Sequence, residues 1–299
     1  MTHRIYYFSA TGNSLQIARK LAESLPNSEL IPITPDLAAE LQAAAEASDS
    51  SKGDSSDGFD NSNNSNQSAG SNETSNAVPE SVGIVFPVYM FKPPRIVLEF
   101  LRKMPKADYI YAVATCGMMP GKPLTVIKNI MLKQGMALSA GYVIPLVSNF
   151  IVLPKTKSKA SVEKAFKKAE AKTQQIGQNV QKKTAHFDKE TPDIIAKPVA
   201  WLGFNPMYRK IPELDKKFSV NSRCNKCGTC RDVCPVQNVK ITAELPVFLH
   251  HCEMCFACIN WCPQKAINWT PLTKGKQRYQ CTGVSKEDVI TGRFYRKQK

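Results

Sequence analysis

The chain has 299 residues, of which 42% are hydrophobic and 8% aromatic, enough to bury a real core in one large domain or two ordinary ones. No run of about 18 apolar residues exists, which excludes a membrane-spanning helix, and the opening segment Met1–Phe8 is too short and too aromatic for a signal peptide, so a cytoplasmic protein is expected. The formal net charge of +15 points towards nucleic acid only until residues 36–80 are set apart: nine carboxylates against Lys52 make that segment −8 and leave +23 on the rest.

In chain order, Ile5–Phe8 reads as a buried strand. The loop Ser9-Ala10-Thr11-Gly12-Asn13-Ser14 follows, and a helix then opens with Leu15, Ala18, Ala22 and Leu25 on one face and Ile17 and Leu21 beside them. Leu30–Ile33 is a second apolar run. Val82–Phe86 predicts a buried strand, Pro93–Leu101 a helix with proline in its first turn, Tyr109–Thr115 a strand, Leu124–Leu132 a helix and Ala137–Ile144 a last strand. Five strands alternating with helices imply an α/β domain over residues 1–153, with a parallel sheet covered on both faces. Residues 48–77 hold ten serines, six asparagines and a single aromatic, Phe59. Such a segment buries too little apolar area to offset its ordering entropy, so a disordered surface insertion over about 36–80 is expected. Residues 154–220 read as a Lys-rich helix (Ser158 to Lys182) and an irregular, proline-containing linker. A cysteine-rich block at 221–272 and a basic tail at 273–299 complete the chain.

That block carries the most specific pattern in the sequence. Cys224, Cys227, Cys230 and Cys234 are spaced x2, x2, x3 and followed by Pro235; Cys252, Cys255, Cys258 and Cys262 repeat the spacing 28 residues on, followed by Pro263. Val239 and Ile267, and Ile241 and Trp269, continue the repeat. Ten cysteines in a reducing compartment point to metal or redox chemistry rather than disulfides. A cubane iron–sulfur cluster needs four thiolates around a compact polyhedron, and three cysteines two residues apart wrap one face of it. In two-cluster ferredoxins the fourth ligand comes from the other repeat. This assigns Cys224, Cys227, Cys230 and Cys262 to one 4Fe–4S cluster, and Cys252, Cys255, Cys258 and Cys234 to the other. Structural zinc is the competing reading, but zinc ribbons pair two C-x2-C hairpins and need no third cysteine. Cys116 and Cys281 have no partner set; Cys116 reads as a small buried or loop residue and Cys281 as incidental. His250 and His251 read as loop histidines.

Three loops fall after predicted strands, where a doubly wound sheet binds its ligands. In Ser9, Ala10, Thr11, Gly12, Asn13 and Ser14, hydroxyls, an amide and a glycine at a helix N-terminus suit a phosphate cradle without Lys or Arg; a bare helix cap is the alternative. Pro87, Val88, Tyr89, Met90 and Phe91 offer aromatic and thioether surface, and Thr115, Cys116 and Gly117 offer backbone near a ring edge.

These runs carry a resemblance. Tyr7–Ser14 resembles the flavodoxin phosphate loop; Pro87-Val88-Tyr89 and Thr115-Cys116-Gly117, with Pro120-Gly121, resemble the two flavin loops of flavodoxin–ferredoxin fusions, the ferrodoxin family; 224–262 resembles a bacterial-type two-cluster ferredoxin. The resemblance implies a flavodoxin-like five-stranded sheet of order 2-1-3-4-5, a small α+β ferredoxin domain, FMN and two 4Fe–4S clusters. It implies electron transfer, as a carrier or reductase component; the alternative is a flavin enzyme reducing a small substrate. Bound cofactors would offset part of the basicity, and the Lys-rich 155–183 stretch could dock an acidic redox protein. No G-x-G-x-x-G fingerprint supports direct NAD(P)H oxidation, and a nucleic-acid-binding role lacks interleaved stacking aromatics.

Overall fold

The computed structural model describes residues 2–37, 39–41, 43, 79–117, 119–152, 158–199, 201, 205–269 and 271–294. The bulk of the Ser/Asn-rich insertion, expected to be disordered, lies outside the described residues. Strands β1 (His3–Tyr7), β2 (Ser28–Pro32), β3 (Ser81–Pro87), β4 (Ile110–Cys116), β5 (Ala140–Pro145) and β6 (His186–Phe187) form one parallel sheet in the order β2-β1-β3-β4-β5-β6. The first five reproduce the expected 2-1-3-4-5 order, that of flavodoxin-like doubly wound sheets. The sheet has six strands rather than five: β6 arises inside the stretch read as linker. Two exposed residues pairing at an edge with Ala140 and Gly141 carry no hydrophobic period by which a sequence could announce them.

Strand alternation divides the core in two. Ile5 and Tyr7 face one side of the sheet with helix α1 (Asn13–Glu23), whereas Tyr6 and Phe8 face the other with α2 (Arg95–Leu101) and α3 (Pro123–Leu132). The Lys-rich segment is helix α4 (Lys159–Gln181), capped by the Ser158 hydroxyl accepting from the Ser161 N–H. Its buried residues Ala169, Thr173, Ile176 and Val180 recur every three or four positions and pack into the α1 side, so the lysines form its outer face.

Beyond α4 come α5 (Asp193–Val199), α6 (Asn205–Lys210) and a 3-10 turn at Ile211–Lys217. The cysteine-rich block is built from two antiparallel pairs, β7 (Phe218–Val220) with β10 (Ile267–Trp269) and β8 (Val239–Ile241) with β9 (Pro246–Phe248). The 28-residue repeat is present in the backbone itself. Short helices α7 (Thr229–Asp232) and α8 (Ala257–Asn260) are equivalent, as are β8 and β10. Left-handed residues recur in register: Lys226 and Met254, Gly228 and Phe256, Gln237 and Lys265. A last helix, α9 (Lys286–Phe294), returns to α1 through an Arg19–Asp288 ion pair of 2.6 Å. Val233, Cys255, Ala257, Trp261, Cys281 and Val284 belong to the same buried cluster as α1, so the cysteine-rich block and the sheet share one core. No helix among the described residues is long and apolar enough to cross a membrane.

Candidate functional site

The reversal of strand order between β1 and β3 opens a crevice at the C-terminal strand ends, and the loop after β1 lies in it. Gly12 there has φ +101°, a left-handed conformation that allows the chain to turn into α1, and an added Cβ would fall 2.7 Å from Cys281 Cβ and 2.8 Å from Val284 Cβ. Ala10, Thr11, Gly12, Asn13 and Ser14 are all buried. Among the described residues no protein group accepts a hydrogen bond from their five backbone N–H groups. Buried N–H groups are seldom left unpaired, and a row of them at a helix N-terminus is a cradle for an anion. Side chains fix the loop's shape: Ser14 and Thr115 hydroxyls meet at 2.9 Å, and Asn13 donates to the Val147 carbonyl at 2.8 Å.

The crevice holds about 720 Å³ of empty space including its open mouth. Ser9, Thr11, Asn13, Ser14, Pro87, Val88, Tyr89, Met90, Thr115, Cys116 and Gly117 line it, so three loops far apart in sequence converge. Met90 (φ 48°) and Phe91 (φ 65°) occupy the two centre positions of a tight turn closed by reciprocal Tyr89–Lys92 backbone bonds. Left-handed backbone at two bulky residues is unusual. It sends Tyr89 and Met90 into the crevice, and Phe91 into a neighbouring apolar cavity with Met119, Val126 and Ile195. Gly121 makes that turn possible, because a Cβ there would sit 2.3 Å from Phe91 Cβ. The Tyr89 hydroxyl is buried beside Asn149 without a well-formed hydrogen bond, a polar group aimed at the crevice and left open. Burial raises the Cys116 thiol to about 11, so it is a neutral wall group rather than a reactive thiolate.

Phe91, Ala10 and Gly12 do not line the crevice; Ala10 and Gly12 face the other way, towards Trp261 and Cys281. The sequence reading missed Leu146–Phe150, although that loop follows β5 at the same sheet edge and position alone could have found it. It also missed Ile211, Met254 and Phe256. No local signal marks these, since they reach the crevice only because the cysteine-rich block docks there.

Cysteines of the two repeats come near one another. Burial pushes the Cys230 thiol up to about 12; the Arg231 N–H offsets part of this, and neighbouring Cys262, Cys224 and Cys227 add to it. The Cys258 thiol is pushed far up by burial and then by Cys252, Cys255 and Cys234, with a smaller effect of Cys230. Backbone N–H groups turn to the sulfurs at matching places: Asn238 donates to Cys234 Sγ at 3.1 Å and, 28 residues on, Ala266 donates to Cys262 Sγ at 3.3 Å. The sets differ in exposure. Cys234, Cys252, Cys255 and Cys258 are buried, whereas Cys227 is exposed and Cys224 and Cys262 half-buried. No three His, Cys, Asp or Glu side chains among the described residues are close enough to share one metal ion.

Around the thiols, polar groups hold the loops. The buried Asp215 carboxylate accepts from Asn238 at 2.7 Å and from the His250 N–H at 3.3 Å, with His250 Nδ1 at 2.8 Å, so His250 is a strut as well as a loop histidine. Glu253 accepts from the N–H groups of Arg95 and Ile96 at the start of α2. Arg278 Nη2 donates to the Ile267 carbonyl and Asn268 Oδ1, but its Nε and Nη1 are buried with no partner among the described residues. Burial lowers the Arg278 pKa, and Cys262 and Cys258 act in the opposite direction, which places the guanidinium beside both sets.

The segment after Arg278 then crosses the β1 loop. Tyr279 donates its hydroxyl proton to Asn13 Oδ1 at 2.6 Å, and the Cys281 N–H donates to the Thr11 carbonyl at 2.9 Å. The Cys281 thiol donates to Gln16 Oε1. Cys281 is thus part of the packing over this loop, not incidental. Trp261, one residue before Cys262, donates its indole N–H to the Ala10 carbonyl at 2.9 Å.

A scan against protein-family models and a search of curated proteins give no match. Solved structures similar to the chain include rubredoxin oxygen:oxidoreductase from Desulfovibrio gigas, with 15% identity over 61% of this chain and a TM-score of 0.34; the match spans only 36% of that protein's length. A putative flavoprotein from Bacteroides uniformis shows 20% identity over 56% of this chain and 97% of its own, with a TM-score of 0.32. A flavoprotein in complex with FMN from Lactobacillus acidophilus shows 16% identity over 48% of this chain and 91% of its own, with a TM-score of 0.30. At these scores the chain's own residues carry the functional reading.

Proposed function

We propose that this chain is an electron-transfer protein that holds FMN in the crevice and two 4Fe–4S clusters on the crossed cysteine sets. The observation that carries the reading is a juxtaposition. The loop of the second cysteine set forms one wall of the crevice, with Met254 and Phe256 lining it and the Cys255 carbonyl facing the Asn149 amide. Two redox sites this close serve one relay.

The residues fit both groups. The open N–H groups of Ala10 to Ser14 suit a phosphate, and Pro87, Val88, Tyr89, Met90 and Thr115 to Gly117 suit a flat, amphipathic ring. For the clusters, the donor set is eight thiols with N–H groups aimed at sulfur, and two unpartnered guanidinium N–H groups lie beside them. A mononuclear zinc site would draw its thiolates to about 3.8 Å from one another, given Zn–S bonds of about 2.3 Å. A cubane spreads them, because each thiolate sits on its own iron. Together the groups supply one- and two-electron redox chemistry, while the protein sets their potentials through hydrogen bonds, charge and burial.

This chain's own residues have separable tasks. Asn13, Ser14 and Thr115 fix the loop that holds the phosphate, and Gly12 lets it pass under residues 281–284. Burial holds the thiols of Cys230 and Cys258 neutral while no metal is bound, so loading releases protons from them. Anaerobic purification followed by iron, sulfide and flavin assays tests the proposal. About eight irons and one FMN per chain are expected; zinc in place of iron would overturn the cluster assignment, and iron without flavin the FMN assignment. A docking role for the Lys-rich outer face of α4 with an acidic redox partner is a further part of the proposal, checked by the salt dependence of electron transfer.

A further inference from the structure

Four walls of the crevice, the loops after β1, β3, β4 and β5, are anchored directly to a buried parallel sheet. The fifth is not. It is the Cys252–Cys258 loop, in which Met254 and Phe256 alternate with the cysteines and are themselves 5% and 2% exposed. Both residues are left-handed, with φ of 50° and 57°. Neither has the short polar side chain or the missing Cβ that makes this region easy to adopt. Something must hold them there.

At Phe256 the protein does so itself: the ring packs against Phe150, Phe218 and Trp269, and the carbonyl accepts from the Asn260 N–H; the Met254 side rests on other contacts. The Met254 N–H donates to Cys252 Sγ at 3.2 Å, Asn149 reaches the Cys255 carbonyl at 3.4 Å, and Glu253 is tied to the start of α2. The Met254 bond ends on a cysteine sulfur. At the equivalent place in the first repeat stand Lys226 and Gly228; Lys226 is exposed and bonds the Ala243 carbonyl, away from the crevice. The two repeats therefore have the same backbone but different duties, and only the second one builds the wall.

We infer that Met254 and Phe256 are contact residues for the flavin, and that FMN binding depends on the Cys234, Cys252, Cys255 and Cys258 set being filled. The inference rests on the function proposed above. In a filled set, Cys252, Cys255 and Cys258 would pin both ends and the middle of the loop, and Cys234 would tie it to the first repeat. In an unfilled set these anchors are missing, the left-handed Met254 backbone relaxes, and the wall opens. The dependence is reciprocal: whatever the filled set contributes to FMN affinity, bound FMN returns to cluster retention.

The test uses the full chain, handled without oxygen, in three forms: cluster-loaded and flavin-free, stripped of iron by a chelator, and stripped then reconstituted. Each is titrated with FMN and followed by quenching of flavin fluorescence, with circular dichroism to show that the sheet persists. Stripping is expected to weaken FMN binding about tenfold or more, within the usual range of coupling between sites, and reconstitution to restore it. Bound FMN is expected to slow iron loss to the chelator. Equal affinity in the loaded and stripped forms would overturn the inference and leave the flavin assignment standing; absence of binding in all three forms would remove both. Should stripping unfold the chain, Phe256→Ala in the loaded protein decides the matter. It is expected to lower FMN affinity at unchanged iron content, and unchanged affinity would show that the loop is not a wall of the flavin site.

Discussion

Replacing Trp261 with Phe should loosen the whole molecule at its seam. Trp261 is 6% exposed and its indole N–H meets the Ala10 carbonyl at 2.9 Å, in a loop where Ala10 is itself 2% exposed. The substitution keeps an aromatic ring but removes the donor. The bond is worth about 0.5–1.5 kcal/mol net, and a buried carbonyl left unsatisfied costs about 1–3 kcal/mol. A loss near 2 kcal/mol follows, or roughly 4 °C in Tm for a chain of this length. Urea unfolding of the loaded protein without oxygen would measure it. Tyr279→Phe removes the neighbouring bond to Asn13 in the same loop, so the double variant should be less destabilised than the sum of the singles, by about 0.5 kcal/mol or more. A midpoint unchanged by Trp261→Phe, or strictly additive losses, would show that the cysteine-rich block and the β1 loop are not held as one unit.

Gly12→Val places a branched side chain in left-handed backbone and within 2.7 Å of Cys281 Cβ, so FMN should be lost while iron and sulfide are retained; an unchanged flavin spectrum would show that the loop is not the phosphate site. Cys258→Ser should lower iron from about eight towards four per chain, and full iron content would refute the crossed ligand sets. The Arg19 guanidinium beside Asp288 holds that carboxyl down to about 2 from an ordinary 3.8, with the Ser285 N–H assisting. A depressed carboxylate stabilises the fold above its unfolded pKa, and the contribution is lost as pH falls from about 3.8 through about 2. Because the two side chains are 38% and 30% exposed, the pair is worth under about 1 kcal/mol. Arg19→Gln should therefore cost stability at pH 5 but little near pH 2, as read from urea midpoints; a pH-independent difference would show that the pair is not the source.

The parallel sheet was legible because its strands are near-continuous apolar runs broken by Ser9, Pro87 and Cys116, where the chain emerges at one edge. Even there, boundaries moved: β2 begins at Ser28 because the pairing of His3 with Ser28 extends the ladder beyond the apolar residues. The 28-residue repeat was readable from the cysteine spacing, and the backbone carries it in matched left-handed residues and short helices. The tertiary seam was not. Nothing local distinguishes Trp261 from a core tryptophan, or Cys281 from a stray thiol, until the last segment is laid across Gly12. Met254 and Phe256 likewise sit among cysteines in the sequence, and only docking turns them towards another ligand's crevice.

The bonds that close the β1 loop span nearly the full chain, 251 residues for Trp261 to Ala10 and 266 for Tyr279 to Asn13. On the ribosome, the loop emerges about 250 residues ahead of the groups that seal it. Until they emerge the nascent α/β sheet carries an unlidded loop, and closures over such separations carry a loop-closure entropy that makes them slow. Chaperones and loading factors would meet a chain whose oldest part waits for its youngest. A fragment cut short before residue 278 would keep every strand of the sheet and still lack the strap over Asn13 and Thr11.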